Sequence, residues 1–227
     1  MADANRLRNI VAHELGHVVG FDQAPCGNSI MSEGAPTDTL TCNDVGSLNV
    51  RYRLNESPIV VDTVGDGLAL SSASGGVRFD FASNGGRDRA AWPMAGDDGF
   101  LTLDRNGNGR VDNGGELFGD HTLLSTGQMA RDGFEALRDF DRNADGVIDA
   151  RDPVFKSLRL WFDIYRDGVS QPLELWPLRL LGIRSLSVRP QNWRSEDEHG
   201  NIVVYRAEVQ GMGGALLAYD VYLTIER

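Results

Sequence analysis

The feature that most constrains this chain is a short theme, Asp-x-Asx-x-Asx-Gly, which recurs through its middle in several states of completeness. It is clearest at Asp141-Arg142-Asn143-Ala144-Asp145-Gly146 and Asp104-Arg105-Asn106-Gly107-Asn108-Gly109. Short carboxylate and amide arms suit tight loops better than helix interiors, and glycine permits the sharp turn that follows them. The composition bears this out. Asp outnumbers Glu 23 to 10, and 17 of the 23 lie between Asp62 and Asp167. Aspartate crowded among Gly and Asn points to cation loops. The net charge of -11 leaves no basic footprint of the kind a general nucleic-acid binder needs. With 21 Arg and one Lys, the cationic side reflects genome bias and carries no physical message.

Calcium takes six to eight oxygen ligands, well supplied by a 12-residue loop with side-chain oxygens at positions 1, 3 and 5. Glycine stands at position 6, a backbone carbonyl serves at 7 and an acid closes at 12. The segment 141–152 meets every term, with Asp141, Asn143, Asp145, the Val147 carbonyl, Asp149 and Asp152 as candidate ligands. A second loop offers Asp104, Asn106, Asn108, the Arg110 carbonyl and Asp112, but its acid, Glu116, falls at position 13. A third offers Asp163, Asp167, the Val169 carbonyl and Glu174 at position 12, with Tyr165 at position 3. Two more starts, Asp62 to Gly67 and Asp80 to Gly85, have lost side-chain ligands and read as turns. Ile148, at position 8, is expected to pack or pair with a partner loop.

Around these loops the chain divides near Asn55-Glu56-Ser57-Pro58. Residues 3–20 read as a helix, with Leu7, Val11, Leu15 and Val18 at helical spacing and Gly20 as its stop. Residues 44–52 read as a short second helix. Segments 59–70, 77–81 and 183–188 read as extended. Short helices are expected over 133–140, leading into a loop, and over 153–158, leaving it. Segments 201–210 and 215–226 read as a hairpin closed by Gly211-Met212-Gly213-Gly214. No apolar run approaches the length of a membrane span, and residues 1–8 show no signal-peptide core. Cys26 and Cys42 could be a disulfide or two free buried thiols; the features below that favour secretion favour the bridge.

Residues 13–20 read His13-Glu14-Leu15-Gly16-His17-Val18-Val19-Gly20. Two His four apart on a helix project from one face and can reach one metal, while Glu14 beside them can take a proton from a metal-bound water. Met31 lies in a tight turn downstream. This stretch resembles the metzincin zinc peptidases, whose pattern is H-E-x-x-H-x-x-G-x-x-H followed by a Met-turn. The resemblance covers roughly residues 3–53. It implies a Zn²⁺ site on His13 and His17, Glu14 as general base and Met31 as the Met-turn, with Cys26 and Cys42 in a cysteine-bearing loop. The third ligand position holds Gln23, with Asp22 one residue earlier, and only twelve residues precede His13. The upstream sheet of such peptidases is not in this chain, which reads as the C-terminal part of a longer protein or one begun at an internal Met.

From Ser57 to about Leu216 the sequence resembles a module of secreted bacterial RTX-type, iron-regulated proteins. The matching text is Ser57-Pro58-Ile59-Val60-Val61-Asp62, Asp97-Asp98-Gly99-Phe100-Leu101, residues 113–120 and Asp167-Gly168-Val169-Ser170-Gln171-Pro172. In some relatives calcium folds this module and an Asp–Pro bond at its entrance is then cleaved through the Asp side chain. Here the entrance reads Ser57-Pro58, and a serine cannot supply that carboxylate, so self-cleavage at this bond is not expected.

The combined expectation is an α+β chain. Residues 1–55 form a zinc-helix and Met-turn segment, an incomplete peptidase domain. Residues 56–227 form an EF-hand-like calcium-loop module with short strands and a C-terminal β-hairpin. The leading function is a secreted, extracellular bacterial calcium-binding protein that carries a zinc metallopeptidase motif and acts on a protein or peptide substrate. The alternative is a calcium-folded binding or spacer module with a vestigial zinc site.

Overall fold

The run Ile59-Val60-Val61 is apolar without alternation, as befits a strand covered on both faces. The computed structural model describes residues 57–94 and 96–226, and there this run forms β1, Ile59–Asp62, buried along its whole length. Ile59 and Val61 face one apolar cluster and Val60 faces another. The same split recurs on β4, Asp98–Thr102, where Leu101 and Phe100 part company, and on β6, Arg159–Trp161, where Leu160 and Trp161 do.

These strands are consecutive in one curled antiparallel sheet of nine strands. The remaining members are β5 (Val147–Asp149), β7 (Leu175–Pro177), β8 (Ser185–Ser187), β9 (Gln191–Glu196), β10 (Ile202–Gly211) and β11 (Gly214–Tyr222). Their order is β5-β8-β10-β11-β1-β4-β6-β7, with β9 paired to β10. β10 and β11 make the expected hairpin, with Gly211 opposite Gly214 and an irregularity between Val203 and Tyr205. A second sheet of three strands joins β2 (Val77–Phe79), β3 (Asp88–Ala90) and β12 (Ile225–Glu226).

Each face of the large sheet has its own cover. On one, Phe134, Ala136 and Leu137 of α1, Gly133–Arg138, pack with Leu101, Phe118, Ile148 and Leu160. On the other, Phe79, Phe81, Trp92, Phe100 and Trp161 form an aromatic knot with ring centroids 4.8 to 5.9 Å apart. Such tilted and edge-on pairs add to what area burial alone contributes.

The α+β expectation is therefore corrected: the described part is mostly β. α1 is its one α-helix, six residues long, with Asp132 as N-cap accepting from Glu135 N–H. The helix expected over 153–158 is a single 3-10 turn, Pro153–Lys156. Proline at its start fixes φ but offers no donor, and no side chain caps the turn. The EF-hand-like frame therefore keeps its entering helix, α1, but lacks the leaving one. Ile148 pairs not with a second loop but with Leu186 of β8, so the loop is stitched into the sheet. Strands of three residues, such as β3, β5, β6 and β7, are too short for a period of two to show in sequence. The helices expected over 3–20 and 44–52 lie outside the described residues.

Candidate metal sites

Five loops share one backbone design. In each, Oδ2 of the leading Asp accepts the N–H of the Gly five residues on. The pairs are Asp62 with Gly67 (2.8 Å), Asp80 with Gly85 (2.8 Å), Asp104 with Gly109 (2.8 Å), Asp141 with Gly146 (2.9 Å) and Asp163 with Gly168 (2.9 Å). Position 6 is left-handed in all five, and so is position 4, held by Gly65, Ser83, Gly107, Ala144 and Arg166. Ser83, Ala144 and Arg166 are the only non-glycine residues with positive φ among the described residues. A side chain there carries a steric cost that the surrounding loop must overcome.

Three of the loops are also closed by their own acid. Asp152 accepts Arg142 N–H at 2.9 Å and Asp149 N–H at 3.1 Å. Glu116 accepts Arg105 N–H at 3.1 Å and Asp112 N–H at 2.8 Å. Glu174 accepts Tyr165 N–H at 3.2 Å and Gln171 N–H at 3.0 Å. Counted from the leading Asp, the donors are positions 2 or 3 and position 9 each time. All three acids are buried, Glu174 completely. The extra residue that puts Glu116 at position 13 is absorbed by a 3-10 turn, Gly114–Glu116, capped by Asn113. In each of these loops the position-7 N–H donates to the position-5 side chain: Arg110 to Asn108, Val147 to Asp145 and Val169 to Asp167.

The sequence matches one family model across these same loops: the SPM domain family, over residues 59–224. The chain belongs to the SPM domain family. Iron-regulated protein FrpA of Neisseria meningitidis serogroup C is 40% identical over 172 residues. That stretch is 72% of this chain and 15% of FrpA, so the chain spans a small fraction of the curated relative it matches.

Within the SPM domain the expected ligands of each loop share hydrogen bonds along one turn, but in none of the three loops do carboxylate oxygens of three residues come within 4.8 Å of one another. Asp141 leaves Oδ1 buried and without a hydrogen-bond partner, an orphaned oxygen where the scheme puts the first ligand. Asn143 donates to Asp145 at 2.9 Å, and Arg151 holds Asp149 through two nitrogens and also pairs with Asp145. Asn106 and Asn108 both donate to Asp112 Oδ2, at 3.0 and 2.6 Å. Gln171 donates to Asp167 at 3.1 Å. The side chain of Tyr165 is exposed, so position 3 of the third loop supplies no side-chain oxygen to it. Hydrogen bonds from Asn108 and Asn106 hold Asp112 below the usual carboxylate range, and Arg151 does the same for Asp149. Burial pushes Asp163 up. The oxygen-only donor sets suit a hard cation. The residues expected at the zinc site, His13, Glu14, His17, Asp22, Gln23 and Met31, with Cys26 and Cys42, lie outside the described residues.

Sequence reasoning passed over one cluster. Asp62, Asp97 and Asp98 bring carboxylate oxygens within 4.8 Å of one another. Asp97-Asp98 follows no loop spacing, and its partner is set only by the pairing of β1 with β4, which places Asp62 opposite Asp98. The available signal was two adjacent acids at the start of an otherwise apolar strand. Burial, chiefly, raises Asp98 to about 7.

Proposed function

We propose that this SPM domain is a calcium-folded module of a secreted bacterial protein, taking calcium in the loops led by Asp104, Asp141 and Asp163. The observation that carries the reading is the shared closure by a buried acid, together with the orphaned Oδ1 of Asp141. The ligands would be Asp104, Asn106, Asn108, the Arg110 carbonyl, Asp112 and Glu116 in the first loop. The second would use Asp141, Asn143, Asp145, the Val147 carbonyl, Asp149 and Asp152, and the third Asp163, Asp167, the Val169 carbonyl and Glu174. Without a cation these carboxylates repel one another and favour the open chain, so ion binding and folding are coupled. Likeness to FrpA, the acidic balance and the calcium-rich exterior of the cell are consistent with folding after export. Among the described residues no helix is long and apolar enough to cross a membrane.

The test is far-UV circular dichroism of the full chain titrated with calcium from EGTA. A cooperative gain of β signal is expected, and Asp141→Asn should raise the calcium midpoint about tenfold, a change of about 1.4 kcal/mol. Identical spectra and melting curves in EGTA and in calcium would overturn the reading.

A second reading adds zinc peptidase activity toward a protein or peptide. It rests on His13-Glu14-Leu15-Gly16-His17 and Met31, with Gln23 or Asp22 as third ligand. There Glu14 would deprotonate a zinc-bound water. Near-stoichiometric zinc by plasma mass spectrometry, and casein hydrolysis abolished by Glu14→Ala, would support it. Calcium without zinc would leave the module reading alone.

A further inference from the structure

We propose that Asp62, Asp97 and Asp98 hold a further calcium ion, assembled across β1 and β4 instead of within one loop. Asp62 and Asp98 are 1% and 2% exposed and sit directly opposite each other in the antiparallel pair. Like charges in that arrangement repel, and burial removes the water that would screen them. No arginine or lysine among the described residues forms an ion pair with any of the three. Asp98 is held by one bond, from Ala69 N–H to Oδ2 at 2.9 Å, and its Oδ1 is buried without a partner. Oδ2 of Asp97 is likewise buried and unpartnered. Oxygens left bare beside two other carboxylates are what a bound cation would satisfy.

The backbone is prepared for it. Thr63 donates to the Asp97 carbonyl through both N–H (3.1 Å) and Oγ1 (2.7 Å), clamping the acidic pair over the turn that follows β1. Asp62 opens that turn as Asp104 and Asp141 open theirs, with Oδ2 on the position-6 glycine, and its Oδ1 accepts Val64 and Gly65 N–H. Exposed Asp66 stands at position 5 of the same loop. What this loop lacks is a local closing acid, and Asp97 and Asp98 supply carboxylates from another strand. An all-oxygen set completed by carbonyls and water suits calcium, whose coordination is flexible, better than magnesium, which demands a near-ideal octahedron. The ion would tie the end of β1 to the start of β4, at the centre of the sheet.

Two measurements on the full chain test this. Long-wavelength anomalous diffraction from crystals grown in calcium should show a peak among Asp62, Asp97 and Asp98. Native mass spectrometry should count one calcium fewer for Asp98→Asn than for the unsubstituted chain. If that variant does not fold, Asp97→Asn, at a less buried position, serves for the count. Anomalous peaks confined to the loops led by Asp104, Asp141 and Asp163, or an unchanged count, would overturn this site and leave the module reading intact. No peak and no bound calcium anywhere would overturn both.

Discussion

The loop led by Asp80 and the loop led by Asp104 start alike and end differently. Both turn on the same bond from a position-6 glycine to the leading Asp, and both hold position 4 left-handed. The Asp104 loop goes on to a buried acid that gathers two N–H groups. The Asp80 loop has no such acid; Asp80 accepts only from Asn84 and Gly85 within the loop. Instead it docks on its neighbour: Gly114 N–H donates to the Asp80 carbonyl at 2.8 Å, and Ser83 Oγ meets Asn113 and Gly115. A Cβ on Gly114 would lie 1.9 Å from the Phe81 carbonyl oxygen, so the approach requires glycine. The turn is thus an autonomous backbone device, and the closing acid is what distinguishes the proposed ion loops from a brace.

The sharpest way to break that distinction is to remove the acid. Glu116→Ala leaves the Arg105 and Asp112 N–H groups without their charged acceptor, and bonds of that kind contribute roughly 1.5–3 kcal/mol each. A loss of about 3 kcal/mol in urea unfolding at saturating calcium is expected, against about 1 kcal/mol for Asp80→Ala, which removes only local turn bonds. Equal losses would mean that the closing acid has no special standing.

A second contrast sets the satisfied closing acids against a buried carboxylate with no such donors. Asp220, on β11, is completely buried and neither oxygen has a partner at hydrogen-bonding geometry. Burial raises it well above the ordinary range, and Asp132 and Asp120 raise it further, while Gly133 N–H and Ser57 pull the other way. Nearby Tyr222 is pushed up to about 12, mainly by burial and by Asp220. The folded chain therefore keeps a proton that the unfolded chain releases above its ordinary carboxylate value. Stability from this group falls as pH rises through that window, by at most about 1.4 kcal/mol per pH unit. Asp220→Asn should flatten the fall that begins above the ordinary carboxylate value, read by urea unfolding at fixed calcium. Parallel pH profiles for the two chains would place the proton elsewhere.

Much of the loop backbone was legible because its determinants are local. Asp at position 1, Gly at 6 and an acid at 12 encode their own hydrogen bonds, so the loops could be read from spacing, and so could the hairpin from Gly211 to Gly214. What failed depended on distance. The helix leading into the Asp141 loop is present as α1, but the one expected to leave it is a 3-10 turn, and the strand inside the loop, β5, pairs with β8 some forty residues on. The Asp62, Asp97 and Asp98 cluster was hidden for the same reason, since only the β1–β4 register brings the three together. The weakened motif at Asp62 looked like decay because its missing acids lie on another strand.

The smallest expected effect isolates the backbone from the ligands. Position 4 is Ala144 in one closed loop and Gly107 in another, both left-handed, with φ of 55° and 75°. A Cβ on Gly107 would meet nothing within 4 Å, so Gly107→Ala adds conformational strain without a clash. It should cost about 1 kcal/mol, and Ala144→Gly should recover up to a similar amount, less the extra freedom glycine gives the unfolded chain. Thermal melts at saturating and at limiting calcium separate the possibilities. Opposite shifts that grow with calcium would mean that the ion imposes the left-handed turn. Opposite shifts of equal size at both concentrations would mean that the hydrogen bonds of the leading Asp impose it, which is what the Asp80 loop, with Ser83 at φ 53° and no closing acid, already implies.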